Sequence, residues 1–276
     1  MLWQKIRNYS KKYKVILAII GAIVAIVAIT YLAKIGYIYY RRHDNNLTVG
    51  FVTDIHAGNK KSKEKGSTSG VIFPQNFEKN LTSAFKDMQY DHYIISLGDN
   101  VDDSKQCQQY VDQLHKIARG YNVLWTKGNH DKDACFPLLS SKRYFYIDDR
   151  DWRIMIIDNS HWYPKDQRGK MKDQIGVIDA EQMDWIKNAL NTDKKVLVAM
   201  HLPIFDDNGE SKEFTIRPDY VEFKKMLEEK GNVKYVLAGH YHNHNWQKEE
   251  NGITYYILPS LELEGGEGFH MTLQLE

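Results

Sequence analysis

The sequence has few cysteines, almost no net charge and no repetitive segment. Two cysteines among 276 residues are too few for a structural zinc cluster of thiolates or for a disulfide-dense fold. Lysine and arginine together number 37, and aspartate and glutamate 36, so the charge balance does not indicate a nucleic-acid-binding protein or an acidic tail. With 42% hydrophobic and 26% charged residues, the composition excludes a disordered chain and predicts a globular domain with a sizeable core.

One long apolar run interrupts this polar sequence, whose mean hydropathy is −0.55. Residues 15–33 carry no charge, and as a helix they would extend roughly 28 Å, close to the hydrocarbon thickness of a bilayer. A cleaved signal peptide would have a shorter apolar region and a small-residue cleavage site, and neither fits this run. We therefore predict a basic N-terminal tail over 1–14, a transmembrane helix with its interfacial flank over 15–40, and a linker over 41–46.

Basic residues on the two sides of this run predict its orientation. Five precede it and three follow it closely, namely Lys5, Arg7, Lys11, Lys12 and Lys14 before it, and Lys34, Arg41 and Arg42 after it. Because cytosolic flanks carry the excess of lysine and arginine, we expect the N-terminus in the cytosol and the following domain outside it. The chain is thus predicted to be a single-pass plasma-membrane protein that contacts the lipid bilayer through residues 15–33.

Residues 47–276 alternate β-forming runs with helical patterns, which predicts one mixed α/β domain. Five of the β-forming runs, called the leading runs below, lie at residues 47–52, 92–97, 122–126, 196–200 and 233–238. Helical patterns lie between them, one from Ser104 to Gly120 and another after Asp179, where Gln182 occupies the capping-box position. Further runs at 143–147, 152–157, 253–258 and 270–275 lack intervening helices. They predict a second, partly antiparallel sheet packed on the first.

Each of the five leading runs ends in side chains that can bind metal ions. In chain order these are Asp54 and His56; Asp99 and Asp102; Asn129, His130 and Asp131; His201; and His240 and His242. Loops at the carboxyl ends of parallel strands lie on one edge of a sheet, so these side chains can converge although they are spread over most of the domain. A single pair of this kind is usually a turn or a helix cap, whereas five placed in the same way predict an active site.

The types of ligand indicate the class of metal. Carboxylates, imidazoles and one amide oxygen, without a thiolate, suit Mn, Fe, Zn or Mg, and we expect Mn. There are enough ligands for two divalent ions, which could clamp a phosphoryl oxygen and generate a bridging hydroxide near neutral pH. Attack of that hydroxide would hydrolyse a phosphomonoester or a phosphodiester.

The ordered set Asp54-x-His56, Gly98-Asp99-x-x-Asp102, Gly128-Asn129-His130-Asp131, His201 and Gly239-His240-x-His242 resembles that of the calcineurin-like metallophosphoesterases. The resemblance extends from residue 47 to the carboxyl end, and it implies the β-sandwich flanked by helices that is typical of the family. Weaker similarities, at 157–160, Gly176, Gln182, Trp185, 201–203 and 259–260, indicate the bacterial branch that includes cyclic-nucleotide phosphodiesterase-like enzymes.

The resemblance also implies roles for individual residues. The implied ligands are Asp54, His56 and His242 for one ion, Asn129, His201 and His240 for the other, and Asp99 as the bridge between them. His130 would not be a ligand. It would face the phosphate and stabilise the transition state or protonate the leaving oxygen, and Asp131 would orient its ring. Asp102 would support the site from behind the ligands.

Two basic loops near the predicted site are candidates for substrate binding. Residues 57–70 carry Lys60 and Lys61 among their four lysines, and residues 160–176 carry Lys165 and Arg168 together with two aromatic residues. Both loops could simply be solvated surface. Alternatively, they form a cationic entrance that attracts an anionic substrate, such as a nucleotide, a lipid head group or an envelope phosphodiester.

Two other functions remain open from the sequence. One is a catalytically silent metal-binding scaffold at the membrane, although no ligand position is lost. The other is a nuclease of the same superfamily, which the near-zero net charge, the apolar run and the lack of a basic stripe disfavour. We therefore expect no nucleic acid partner. For Cys107 and Cys135 we expect two unpaired buried thiols, a disulfide between them being the alternative if the domain is exported.

Overall fold

The computed structural model of the chain describes residues 2–43, 46–58, 72–102, 105–162, 175–205, 218–263 and 268–276. The chain forms two compact units, residues 1–45 and residues 46–276. The first unit is one helix, α1 (Leu2–His43), which takes in the expected basic tail and residues 41–43 of the expected linker. Its segment Tyr13–Tyr37 is long and apolar enough to cross a membrane, and the apolar side chains along it are exposed.

The second unit contains two large sheets and five further α-helices among the described residues. Its strands are β1 (Leu47–Val52), β2 (Tyr93–Ser96), β3 (Val123–Trp125), β4 (Phe145–Asp149), β5 (Trp152–Ile156), β6 (His161–Trp162), β7 (Ile175–Val177), β8 (Lys195–Ala199), β9 (Val233–Ala238), β10 (Trp246–Glu250), β11 (Ile253–Ile257) and β12 (Met271–Leu275). Its α-helices are α2 (Phe77–Asp87), α3 (Cys107–Ile117), α4 (Phe136–Leu139), α5 (Ala180–Ala189) and α6 (Pro218–Glu229), and a short 3₁₀ helix, Pro74–Asn76, precedes α2.

The two sheets are mixed, with parallel strands at their centres. The first has the order β12-β1-β2-β3, in which β1, β2 and β3 are parallel and β12 is an antiparallel edge. The second has the order β10-β11-β9-β8-β5-β4, with parallel pairs from β11 to β5 and antiparallel strands at both edges. Strands β6 and β7 form a separate hairpin. The predicted mixed α/β class with a second, partly antiparallel sheet is confirmed.

Three layers of apolar side chains hold the sandwich together. Alternate residues of β1, such as Val49 and Phe51, face alternate residues of β5 and β8, such as Ile154 and Leu197, between the two sheets. The other face of the first sheet packs against α2, α3 and α4, and the other face of the second sheet packs against α5 and α6. Because both faces of the central strands are covered, these strands consist mainly of apolar residues.

The start of α5 and the cysteine pair were both predicted from the sequence. Helix α5 begins after Asp179, whose side chain accepts a hydrogen bond from the backbone N–H of Gln182 at 2.8 Å. The Gln182 side chain does not complete a capping box, because it pairs with the backbone of Asp158 instead. The expectation of unpaired thiols is wrong, since Cys107 and Cys135 form a disulfide with their Cα atoms 5.8 Å apart. Strands β2 and β3 are neighbours, so the segments that follow them run side by side.

Candidate metal centre

The five predicted clusters meet at the carboxyl ends of β1, β2, β3, β8 and β9. Backbone hydrogen bonds continue the parallel pairing of β1 and β2 into their loops, from Asp54 N to Gly98 O at 3.0 Å and from His56 N to Asp99 O at 2.8 Å. In the second sheet, Gly239 N donates to His201 O at 3.0 Å and joins the ends of β8 and β9. The loops of each sheet are therefore held in register beyond the strands, and both sets of loops contribute side chains to one cluster.

One half of the cluster brings Asp54, His56, Asp99 and His242 together. One potential ligand atom of each lies within 4.8 Å of the others, and all four residues are buried. His242 Nε2 is 3.1 Å from His56 Nε2 and 3.4 Å from Asp54 Oδ1. These contacts point both rings and the carboxylate at a common centre.

The other half of the cluster shares Asp99 with the first. Asp99, His201 and His240 place one potential ligand atom each within the same 4.8 Å limit. His201 Nε2 lies 3.2 Å from Asp99 Oδ2 and 2.9 Å from Asn129 Oδ1. The other ring nitrogen of His201, Nδ1, lies 2.9 Å from the carbonyl of Leu97, which orients Nε2 towards the cluster in the way that metal-bound histidines are commonly oriented.

The chemistry of these atoms fits divalent cations. Among the described residues, the Oδ1 atom of Asp54 and the Oδ2 atom of Asp99 are buried without a hydrogen-bond partner. Buried polar atoms are paired as a rule, and an unpaired carboxylate oxygen facing imidazole nitrogens is a common sign of a cation site. The six carboxylate and imidazole residues, with the amide oxygen of Asn129, therefore suit two ions that share Asp99.

The backbone is bent into an uncommon conformation at these residues. Asp54, His56, Asp99 and His240 have positive φ angles of 52°, 46°, 52° and 74°, a region that non-glycine residues rarely occupy. The loops also approach each other so closely at two glycines that no side chain would fit there. A Cβ atom on Gly128 would lie 2.1 Å from Asp99 N, and one on Gly239 would lie 1.9 Å from Thr53 Oγ1. The tight turns bring neighbouring ligands within a few ångströms of each other.

Burial and charge act in opposite directions on the pKa values of the cluster. Burial alone would raise the pKa of Asp99, but the rings of His201 and His130 hold it well below its usual range. Burial would likewise lower the pKa of His56, but the carboxylates of Asp102 and Asp54, which lie 3.6 Å and 3.8 Å from its ring nitrogens, raise it to about 10. By contrast, burial and the charge of His201 lower the pKa of His240 to about 3. The cluster therefore favours an ionised Asp99 and a protonated His56, but a neutral His240.

His130 has a different partner from the one predicted. Its Nδ1 atom lies 2.8 Å from Asp102 Oδ1, so Asp102 orients the ring and the expectation for Asp131 is wrong. The Asp131 carboxylate accepts hydrogen bonds from the backbone N–H groups of Asn100, Val101 and Gly128. It is buried beneath the loops and joins them, whereas the His130 side chain is 36% exposed at the entrance to the cluster.

Two supporting residues were not assigned a role from the sequence. Asn159 fixes the backbone after β8, since its Oδ1 atom accepts from His201 N at 3.2 Å and from Leu202 N at 3.1 Å. Ser260 Oγ donates to the carbonyl of Asp54 at 2.8 Å. Both residues follow predicted strands and lie in the segments 157–160 and 259–260 that resemble the bacterial branch, and these two signals could have indicated a role.

The four proposed substrate-binding residues, Lys60, Lys61, Lys165 and Arg168, lie outside the described residues.

The comparison with protein families decides the assignment. Residues 47–244 match the model of the calcineurin-like phosphoesterase family. The chain belongs to this family. The match covers all five ligand clusters, and the predicted resemblance is confirmed. Because the family hydrolyses phosphoesters with two metal ions, a phosphoesterase hydrolase with a metal-binding site is the activity class that membership implies. No curated protein sequence matches the chain.

Solved structures of other phosphoesterases share the fold of this family member. A dimetal phosphatase from Danio rerio superposes with a TM-score of 0.67 at 14% identity, covering 83% of this chain and 92% of its own. The purple acid phosphatase PPD1 from yellow lupin (Lupinus luteus) seeds gives 0.54 at 14% identity, over 77% of this chain and 43% of its own. A putative 5'-nucleotidase from Staphylococcus aureus gives 0.51 at 16% identity, over 83% and 51%.

Proposed function

We propose that the protein is a membrane-anchored, dinuclear metal-dependent phosphoesterase. Asp54, His56 and His242 would hold one ion, and Asn129, His201 and His240 would hold the other. The observation that carries this proposal is the position of Asp99, which belongs to both groups of ligands and keeps a buried oxygen without a hydrogen-bond partner. A carboxylate in this position is what a site for two adjacent ions requires.

The ions, for which we propose Mn, would act as Lewis acids on a phosphoryl group and lower the pKa of water at the site. The protein supplies their positions and a proton donor, His130. The negative charge of Asp99 raises the pKa of His130 against the effect of burial, and Asp102 adds to the rise. With Nδ1 directed at Asp102, the Nε2 atom remains to donate a proton to the leaving oxygen or a hydrogen bond to the phosphoryl group.

Two features support an extracytoplasmic position for the domain. More basic residues precede the apolar segment of α1 than follow it, as the charge rule for a cytosolic N-terminus requires. In addition, the two cysteines form a disulfide, and disulfides persist mainly in oxidising compartments. We therefore propose that α1 anchors the chain in the plasma membrane, with its N-terminus in the cytosol.

The proposed substrates are small or lipid-linked phosphoesters. Their charge suits the basic segments 57–70 and 160–176, which contain Lys60, Lys61, Lys165 and Arg168. The first segment follows His56 directly, and the second follows the predicted strand 152–157 closely. Charged loops of this kind would increase the capture of anionic substrates and would be weakened by salt. Nucleotides, phospholipid head groups and envelope phosphodiesters all carry the required charge.

The proposal is tested by assaying the full-length chain, purified in detergent, after chelation and readdition of Mn, Zn, Fe or Mg. The substrate panel contains phosphomonoesters, cyclic nucleotides, phospholipids and DNA. We expect metal-dependent release of phosphate or of a monoester from at least one of the first three classes. A chain that binds two ions but hydrolyses nothing on the panel would favour the scaffold, and activity confined to DNA would favour the nuclease.

His130→Ala separates chemistry from metal binding. We expect kcat to fall by about 10²- to 10⁴-fold, because a positioned proton donor or charge-stabilising group is lost. The metal content, measured by elemental analysis, should stay at two equivalents. Loss of a full equivalent would instead make His130 a ligand and remove it from the catalytic role.

A further inference from the structure

The disulfide lies beside the loops that carry His130 and Asp102. Cys107 is the first residue of α3, five positions after Asp102, and Cys135 precedes α4, five positions after His130. The two loops therefore begin at neighbouring strands, β2 and β3, meet at the contact between His130 and Asp102, and are joined again by a covalent bond. The two cysteines are 28 positions apart, and the segment between them contains Asn129, His130 and Asp131.

The inner parts of the two loops are held together without the disulfide. Asp131 accepts bonds from Asn100 and Val101, and the backbone N–H of His130 donates to Asp99 Oδ1 at 2.8 Å. These bonds join the loop that carries Asp99 to the loop that carries Asn129. The positions of Asp99 and Asn129 are consequently fixed by bonds that remain when the cysteines are separated.

The outer parts of the loops depend more on the disulfide. Asp102 is 22% exposed and His130 is 36% exposed at the side chain, so water competes for their hydrogen bond. Beyond this pair, Cys135 is almost fully buried, and it anchors the segment after His130 to the start of α3. The backbone of Asp102 has one tie of its own, because its N–H donates to the carbonyl of Ala57 at 3.2 Å. The disulfide supplies a further, covalent tie on the far side of the His130–Asp102 pair.

We propose that the Cys107–Cys135 disulfide is a positioning element for the His130–Asp102 pair. By joining the outer ends of the two loops, it keeps the His130 ring against Asp102 and directed at the substrate, while the metal ligands are held independently. This inference rests on the proposed function for its effect on catalysis. Its effect on loop motion follows from the fold alone.

The test compares the full-length wild type, produced in an oxidising secretory host, with Cys107→Ser/Cys135→Ser. We expect kcat to fall roughly 10- to 100-fold in the double variant, because displacement of a catalytic group by about 1 Å has effects of this size. KM and the two equivalents of bound metal should change by less than twofold. Amide hydrogen exchange in residues 128–136 should accelerate, whereas exchange in β8 and β9 should not.

Two controls separate positioning from general stability. Leu190→Ala truncates a buried side chain of the core beneath α5 and should lower the thermal midpoint without lowering kcat. A phosphine reductant, which takes oxygen from water to become the phosphine oxide while the disulfide takes up two protons and becomes two thiols, should reproduce the loss in wild type. It should have no effect on the double variant. A double variant with a lower thermal midpoint but unchanged kcat and unchanged exchange at 128–136 would overturn the proposal, and so would loss of a metal ion.

If the wild type hydrolyses no substrate on the panel, the proposed function fails on that result. The exchange measurement still decides the positioning proposal, because it needs no turnover. Faster exchange confined to residues 128–136 would support it, and an unchanged or uniformly faster pattern would overturn it.

Discussion

Asp99 is the residue on which both halves of the metal centre depend. Its Oδ2 atom lies 3.2 Å from His201 Nε2 and 3.7 Å from His56 Nε2, and its Oδ1 atom accepts from the backbone of His130. We predict that Asp99→Ala abolishes activity and the binding of both ions, since no neighbouring group can serve two sites at once. Elemental analysis of the purified variant after dialysis against Mn measures this loss.

Asp112→Ala is the matched control, because this aspartate pairs with Gln108 on the exposed surface of α3. It should retain two equivalents of metal and full activity. If Asp99→Ala kept even one equivalent at wild-type affinity, the two ions would not share this carboxylate.

The buried side chain of Glu262 should make the stability of the domain depend on pH. It is 1% exposed, and burial raises its pKa to about 8, although a hydrogen bond from Asn80 opposes the rise. Between the ordinary pKa of a glutamate and about 8, the folded chain keeps the proton on Glu262 whereas the unfolded chain releases it. Glu262 therefore makes the free energy of unfolding fall as the pH rises through that range. Glu262→Gln should be more stable than wild type by roughly 1–3 kcal/mol above pH 8.

The measurement is urea unfolding of both chains in chelator at pH 4.5 and pH 8.5. The two stabilities should be similar at the lower pH and differ at the higher one. Glu249→Gln changes an exposed residue of β10 and should behave as wild type at both. A constant difference between Glu262→Gln and wild type across this range would contradict the assigned proton.

At the scale of single residues, the sequence predicted which side chains gather at the site better than it predicted their hydrogen-bond partners. The residues expected to be ligands converge because each follows a parallel strand, and that rule needs no coordinates. The choice between Asp102 and Asp131 as the partner of His130 could not be made in the same way. Asp131 is adjacent in sequence, but its carboxylate turns inward to backbone donors, and only the three-dimensional path of the loop shows this.

At the scale of elements, the loops after β5 and β8 are fastened by one side chain. Asn159 accepts from two backbone N–H groups and donates to Leu202 O at 2.7 Å. We predict that Asn159→Ala lowers stability by about 2–4 kcal/mol, because it leaves buried polar groups without partners. In a domain of this size the thermal midpoint should fall by about 5–10 °C, as measured by differential scanning calorimetry.

Asn188→Ala provides the comparison, since Asn188 is exposed on α5 and alanine is favourable within a helix. Its thermal midpoint should equal or exceed that of wild type. Equal midpoints for Asn159→Ala and wild type would show that the loops are held by other contacts.

The elements differ in how far the sequence could predict them. Strands rich in β-branched residues and a helix preceded by an aspartate cap were recognisable, and β1, β9 and α5 appear where they were expected. The hairpin of β6 and β7 is too short for a sequence pattern to predict. The pairing of Cys107 with Cys135 depends on the distance between two neighbouring segments, which sequence cannot supply.

At the scale of the whole molecule, reporter fusions test the proposed membrane anchor and its orientation. A reporter that is active only in the cytosol should be silent when fused after Glu276 and active when fused before Met1, because the basic flank of α1 favours a cytosolic N-terminus. Reporter activity in cells measures both fusions. An active carboxyl-terminal fusion would reverse the proposed topology and remove the oxidising environment that the disulfide requires.

The left-handed backbone at Asp54, His56, Asp99 and His240 has a consequence for the history of the chain. Each strained residue costs of the order of 1 kcal/mol, and glycine at the same position would remove much of that cost. A lineage released from catalysis would thus gain stability by exchanging its ligands for glycine, so drift would erase the site quickly. All four strained residues are retained here as metal-capable side chains, as expected of a chain whose cluster still binds ions.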